Sequence, residues 1–78
     1  SVQGVVITDV GANSPLYDQN VRPGDVVTEV NGHEVGDIAQ FETEVRKAKS
    51  GSYLRFYIQR FDPQSRQQLS FFAVVRVP

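Results

Sequence analysis

Apolar residues recur with two different periods along this chain, and the periods divide it into elements. From Tyr53 to Arg60 the alternation is strict, with Leu54, Phe56 and Ile58 on one side and Tyr53, Arg55, Tyr57 and Gln59 on the other. A period of two belongs to a β-strand with one wet face. Gln68 to Val77 repeats it, setting Leu69, Phe71, Ala73, Val75 and Val77 against Ser70, Phe72, Val74 and Arg76, and Asp62-Pro63-Gln64-Ser65 supplies the turn between the two. Between Asp37 and Lys49 the period changes. Ile38, Phe41, Val45 and Ala48 fall within about 80° of one another on a helical wheel, a narrow apolar stripe on an otherwise polar helix. Asp37 with Gln40 forms a capping box at its start and Ser50-Gly51 a stop. Two short β-branched runs remain. Gly4 to Val10, with Val5, Val6 and Ile7, predicts a buried strand, and Val26 to Val30 predicts another. The core predicted from these patterns includes Phe41, Val45, Leu54, Phe56 and Ile58.

Turn residues fix how these elements join. Ser14 is a good N-cap and Pro15 a favoured first helical residue, so Leu16 to Gln19 predicts a single helical turn, with Asn20 as a left-handed cap. Pro23 fixes φ near −65°, Gly24 can take the positive φ that a type II turn needs at its third position, and Asp25 can bond nearby backbone N–H groups. At the other end of Val26–Val30, Asn31-Gly32 is the dipeptide that best tolerates the two positive φ values of a type I′ hairpin. Glu34-Val35 is then a short return, and Gly36 releases the chain into the helix. The prediction is an α+β domain of about five strands with one long amphipathic helix and one short one.

The order of these features carries a resemblance. An apolar strand, a Ser-Pro helix start, Arg22-Pro23-Gly24-Asp25, a Val-rich strand, Asn31-Gly32 followed by Val35, and an amphipathic helix resemble a PDZ domain. The resemblance is closest to the PDZ modules, the second or C-terminal one in particular, of bacterial HtrA/Deg-type serine proteases. It departs from that pattern at Leu16-Tyr17, where small residues are usual, and at Asn20, where Gly is usual. The family fold implied is a small, partly open β-barrel or sandwich covering residues 1–78 as one domain. The resemblance also implies a peptide groove between a sheet edge and the helix, where an extended ligand adds as a strand and its C-terminal carboxylate is held by backbone N–H groups. Its candidate residues here are Gln40, Phe41, Glu44, Val45, Lys47 and Ala48, with Gln40, Glu44 and Lys47 on the flank turned to a ligand. The strand and carboxylate loop of that device belong ahead of Gly4, so the domain is expected to be truncated there.

Composition narrows the chemistry. Seventy-eight residues, 40% of them hydrophobic, suit one small domain. Without Cys there is no disulfide framework, thiolate nucleophile or sulfur-ligated metal. No apolar run reaches the ~18 residues of a membrane span. Charge is divided unevenly: residues 1–45 hold eight acids and one base, residues 46–78 seven bases and one acid. Strands from both halves should interleave in one sheet, so these charges are read as facing solvent and one another rather than nucleic acid. His33, the single histidine, follows a tight turn where side chains point outward, and no nucleophile elbow accompanies it. Asp18, Asp25 and Glu29 lack calcium-loop spacing, and the six glycines form neither a Walker loop nor a dinucleotide fingerprint. Tyr53, Arg55 and Tyr57 share a strand face that is ordinarily solvated, with a protein interface as its next reading.

The expectation is therefore a non-catalytic interaction module with no metal or cofactor, whose parent the resemblance makes a serine protease of the periplasm or cell envelope. Its expected partners are protein or peptide C-termini and neighbouring domains of the parent, without nucleic acid or membrane insertion. A homo-oligomer formed through the parent is compatible with this. A scaffold domain without a working groove, and a PDZ module of an intramembrane protease or secretion apparatus, are the alternatives.

Overall fold

The computed structural model describes residues 3–78. Along the chain, β1 (Val5–Val6) is followed by a short 3₁₀ turn (Tyr17–Gln19), β2 (Val26–Val30), β3 (His33–Glu34), helix α1 (Ile38–Arg46), β4 (Tyr53–Asp62) and β5 (Gln67–Arg76). All pairings are antiparallel, in the order β1-β2-β4-β5, with β3 also on β2. Since β4 takes one side of β2, both β1 and β3 lie along the other. The two outer strands of the path, β1 and β5, do not pair with each other among the described residues. The sheet is thus open, where the expectation was partial closure into a barrel or sandwich.

Strand β2 sits inside the sheet because each of its ends is a turn built by local sequence. Asp25 N–H donates to Arg22 O (3.1 Å) with Gly24 at φ 96°, a type II arrangement around Pro23-Gly24. Asn31 and Gly32 have φ of 51° and 84°, and Val30 faces His33 across the two-residue loop. Asn31 then ties the hairpin to β4, its N–H donating to Arg55 O and its Oδ1 accepting from Arg55 N–H, both at 2.8 Å.

The core is thin. Val21, Val27, Val30, Val35, Leu54, Phe56, Ile58 and Ala73 are buried, and α1 lies on this inner face with Phe41 stacked on Phe56 at 5.8 Å. Several expectations are corrected here. Phe41 and Val45 are half-buried rather than buried, because one short helix cannot cover the sheet. Ile38, at the first position of α1, is 63% exposed, ahead of the part of the helix that meets Phe56. Val6 is 57% exposed, since β1 is an edge strand with only one side chain face toward the core. The helix ends at Arg46 rather than at Ser50-Gly51: Ser52 N–H bonds Lys49 O and Gly51 N–H bonds Val77 O, so the approach to the sheet draws the chain out of helical geometry early.

One polar side chain is buried with this core. Asp25, 2% exposed, accepts from Arg60 Nε and Nη2 at 2.8 Å each and from Arg22 N–H at 2.9 Å. Arg60 also donates to Asn20 O at 2.6 Å and rests 5.0 Å over the Phe71 ring. Burial alone would raise the Asp25 carboxyl pKa, but the Arg60 and Arg22 hydrogen bonds and charges outweigh it and hold the group below its ordinary value. This clamp fastens the loop before β2 to the far end of β4.

Candidate functional site

A groove opens where β1 and β3 share one edge of β2. β1 covers Val26 and Val27, β3 covers Glu29 and Val30, and a bulge falls between Val27 and Glu29. Thr28 is left at the gap, where its carbonyl accepts from Val35 N–H at 3.0 Å. The hollow of about 500 Å³ beside it is lined by Gln3, Thr28, Glu29, Glu34, Gly36, Gln40 and, from β4, Gln59, with Val35 the one apolar side chain among its described lining residues. Glu29 and Glu34 stand directly opposite each other in the β2–β3 register. Like charges so placed repel, and this wall of the groove is therefore acidic.

The N-terminus of α1 forms the opposite wall. Asp37 Oδ1 accepts from Gln40 N–H at 2.8 Å, while Gln40 Oε1 reaches back to Gly36 N–H at 2.6 Å. A capping box is thereby closed one residue earlier than its usual form, and the Gln40 side chain is pinned across the groove mouth. Gly36 has little room for a side chain: a Cβ there would stand 3.0 Å from Gln3 Nε2 and 3.3 Å from Gln40 Oε1.

The remaining groove candidates are distributed differently. Phe41, Val45 and Ala48 pack against the core. Glu44 borders a shallower neighbouring hollow of about 290 Å³ along the helix with Glu34, Ala39, Gln40 and Thr43. It lies between Lys47 Nζ (3.1 Å) and His33 Nδ1 (2.9 Å), and the Lys47 hydrogen bond, helped by His33, holds its carboxyl below the ordinary value against a smaller opposing effect of burial. Lys47 itself is exposed. Of the six candidates, the structure brings only Gln40 to the larger groove. Gln3, Thr28, Glu29, Glu34 and Gly36 were not among them. The two glutamates could have been found, because a two-residue loop at Asn31-Gly32 forces Val30 opposite His33 and hence Glu29 opposite Glu34. The expected carboxylate-holding segment ahead of Gly4 lies outside the described residues.

The profile of the PDZ domain family matches residues 1–70. This chain belongs to the PDZ domain family. A PDZ domain is a non-catalytic interaction module. Over 46 residues, 59% of its length, this PDZ domain is 35% identical to a Bartonella henselae protein named "Probable periplasmic serine endoprotease DegP-like". It spans 9% of that relative's length. No helix among the described residues is long and apolar enough to cross a membrane, and no group of three His, Asp or Glu side chains there could hold a metal ion.

Proposed function

We propose that this PDZ domain is the protein-interaction module of an HtrA/Deg-type serine protease of the periplasm or cell envelope, serving substrate recognition, regulation or assembly. The similarity to the DegP-like endoprotease supports the parent, and the polar groove supports the manner of contact. Burying one apolar C-terminal side chain is worth ~1.5–3 kcal/mol against apolar walls. Here the walls are Gln3, Thr28, Glu29, Glu34, Gln40 and Gln59, with Val35 the one apolar side chain among the described lining residues, and they return little of that. The module accordingly engages folded neighbours and extended segments of protein, and free apolar C-terminal peptides bind this chain at millimolar concentration or weaker. That lining also favours a second reading, a scaffold domain of the same parent with no working peptide groove.

Fluorescence anisotropy with labelled peptides ending in Val or Leu tests the manner of contact. No saturation at micromolar protein is expected, and saturable micromolar binding that responds to Gln40→Ala would restore plain C-terminal peptide capture. The coding sequence that flanks this domain tests the parent. A Ser-His-Asp protease domain is expected there, whereas membrane-spanning protease or secretion-apparatus segments would replace the assignment.

A further inference from the structure

The outward face of the β4–β5 hairpin carries a cluster that neither the groove nor the core uses. Tyr53, Phe61, Phe72 and Val74 are exposed there by 62, 63, 56 and 43%. The register sets Tyr57 opposite Phe72 and Arg55 opposite Val74. The Tyr57 and Phe72 rings lie 4.8 Å apart, and the Arg55 guanidinium sits 5.1 Å over Phe72. Among the described residues neither Arg55 nor Arg76 has a carboxylate partner. Exposed aromatic rings and an uncompensated arginine are the residue types that anchor protein interfaces, and α1 packs on the other side of the sheet.

This face ends at an open strand edge. Val77 N–H donates to Ser52 O, so the odd-numbered residues of this strand turn their backbone groups toward β4 and the even-numbered ones turn theirs away. At Val74 the outward pair is taken by Gln19, whose Oε1 accepts from Val74 N–H at 2.7 Å and whose Nε2 donates to Val74 O. The Gln19 amide stands in for a neighbouring strand there. No strand covers the corresponding groups of Gln68, Ser70 and Phe72 among the described residues.

We propose that this edge and face are a second docking site, which takes an extended acidic segment of a partner protein as an added strand along Gln68–Phe72, with a carboxylate against Arg55. Arg55 belongs to β4, yet its guanidinium lies over Phe72 on the edge strand. A side chain opposite Phe72 on an added strand, about 5 Å away, is within its reach. Charge complementarity selects the occupant. A second copy of β5 would bring no carboxylate, since Gln67–Arg76 contains none. A nucleic acid needs a basic groove along its backbone, and this face offers Arg55 and Arg76 with Glu29 opposite Tyr57.

The test is an NMR titration of the ¹⁵N-labelled 78-residue chain with a short acetylated peptide alternating Val and Glu, its Val-Lys counterpart, and oligothymidylate. Saturable shifts at the amides of Arg55, Ser70 and Phe72 are expected with the acidic peptide only, leaving Gly36 and Gln40 unmoved. Arg55→Gln should weaken that binding about tenfold. Ser70→Pro removes an outward N–H that no described strand uses, so it should abolish binding while the fold persists. Should that variant not fold, the Arg55→Gln result decides alone. Equal binding of the lysine peptide, binding of oligothymidylate, the same shifts appearing on concentration of the chain by itself, or no shifts at millimolar acidic peptide would each overturn the proposal.

Discussion

Asp25 and Glu44 each meet a cation and one further donor, yet the two carboxylates are not equivalent. Asp25 is 2% exposed, and its cation, Arg60, is 19% exposed and held from behind by Asn20 O and the Phe71 ring. Glu44 is itself 16% exposed, but its partners Lys47 and His33 are 63% and 66% exposed. The number of ionic contacts is similar and their setting is opposite. A planar guanidinium with two donors fixed on one carboxylate loses little freedom on pairing, whereas an exposed ammonium and imidazole must be immobilised from solvent. Stability should therefore follow how well the partners are held, rather than how many contacts can be counted.

Removing Arg60 is the strongest way to break this comparison. Arg60→Met strands a buried carboxylate, and a loss of about 3–5 kcal/mol is expected in urea unfolding, enough to leave so small a domain largely unfolded. Replacing both partners with apolar residues should recover part of it, because no orphaned charge remains. A single substitution that cost no more than the double one would show that the clamp is not a pair.

Acid separates the two sites next. The folded-state pKa of Asp25 is lowered, so between that value and the unfolded one, near 3.9, the unfolded chain binds more protons. Its contribution is complete above about pH 4 and is lost as pH falls through the folded value. The acid limb of a thermal stability profile should be steep in the native chain and flatter in the variant with both Asp25 and Arg60 replaced by apolar residues. Glu44 shifts in the same direction, but its effect should fade in high salt, whereas the Asp25 effect should persist.

The turn that presents Asp25 is a smaller test. Gly24 has φ 96° and open space around the position a Cβ would occupy, so Gly24→Ala meets no clash and its cost is conformational, about 1–2 kcal/mol. An unchanged melting temperature would separate the clamp from its turn. The smallest effect is expected at the exposed site. His33→Ala should move Tm by about 2 °C or less, and the change should vanish in 1 M NaCl.

What could be read in the sequence was mostly what a few neighbouring residues decide. Pro23-Gly24 and Asn31-Gly32 carry their backbone angles in their own chemistry, Asp37 caps its own helix, and the alternation of Leu54, Phe56 and Ile58 needs no knowledge of the partner strand. The misses lie where distant residues meet. Ile38 and Val6 fit an apolar pattern but stand at the end of a helix and on the edge of a sheet, and pattern says nothing of what covers them. Asp25 was legible as a turn residue, while its arginine, 35 residues away, depended on the β2–β4 register. The candidate groove suffered most. The resemblance placed its candidates on one helix, where Phe41, Val45 and Ala48 pack against the core, and the polar side chains that line the hollow come from five separate segments, around Gln3, Thr28, Glu34, Gln40 and Gln59, which only the tertiary fold brings together.

The clamp also sets an order of events. The β4–β5 hairpin can zip from its own turn, where Asp62 accepts from Gln64 N–H and Ser65 Oγ, without help from the rest of the chain. Asp25 reaches Arg60 only after β2 has found β4 across the intervening helix, so the pair should form late, on the native side of the folding barrier. Its loss should then raise the unfolding rate and leave the refolding arm of a chevron nearly unchanged. In that sense the bond between Asp25 and Arg60 is a latch on the finished domain, governing how long it stays closed rather than how fast it closes.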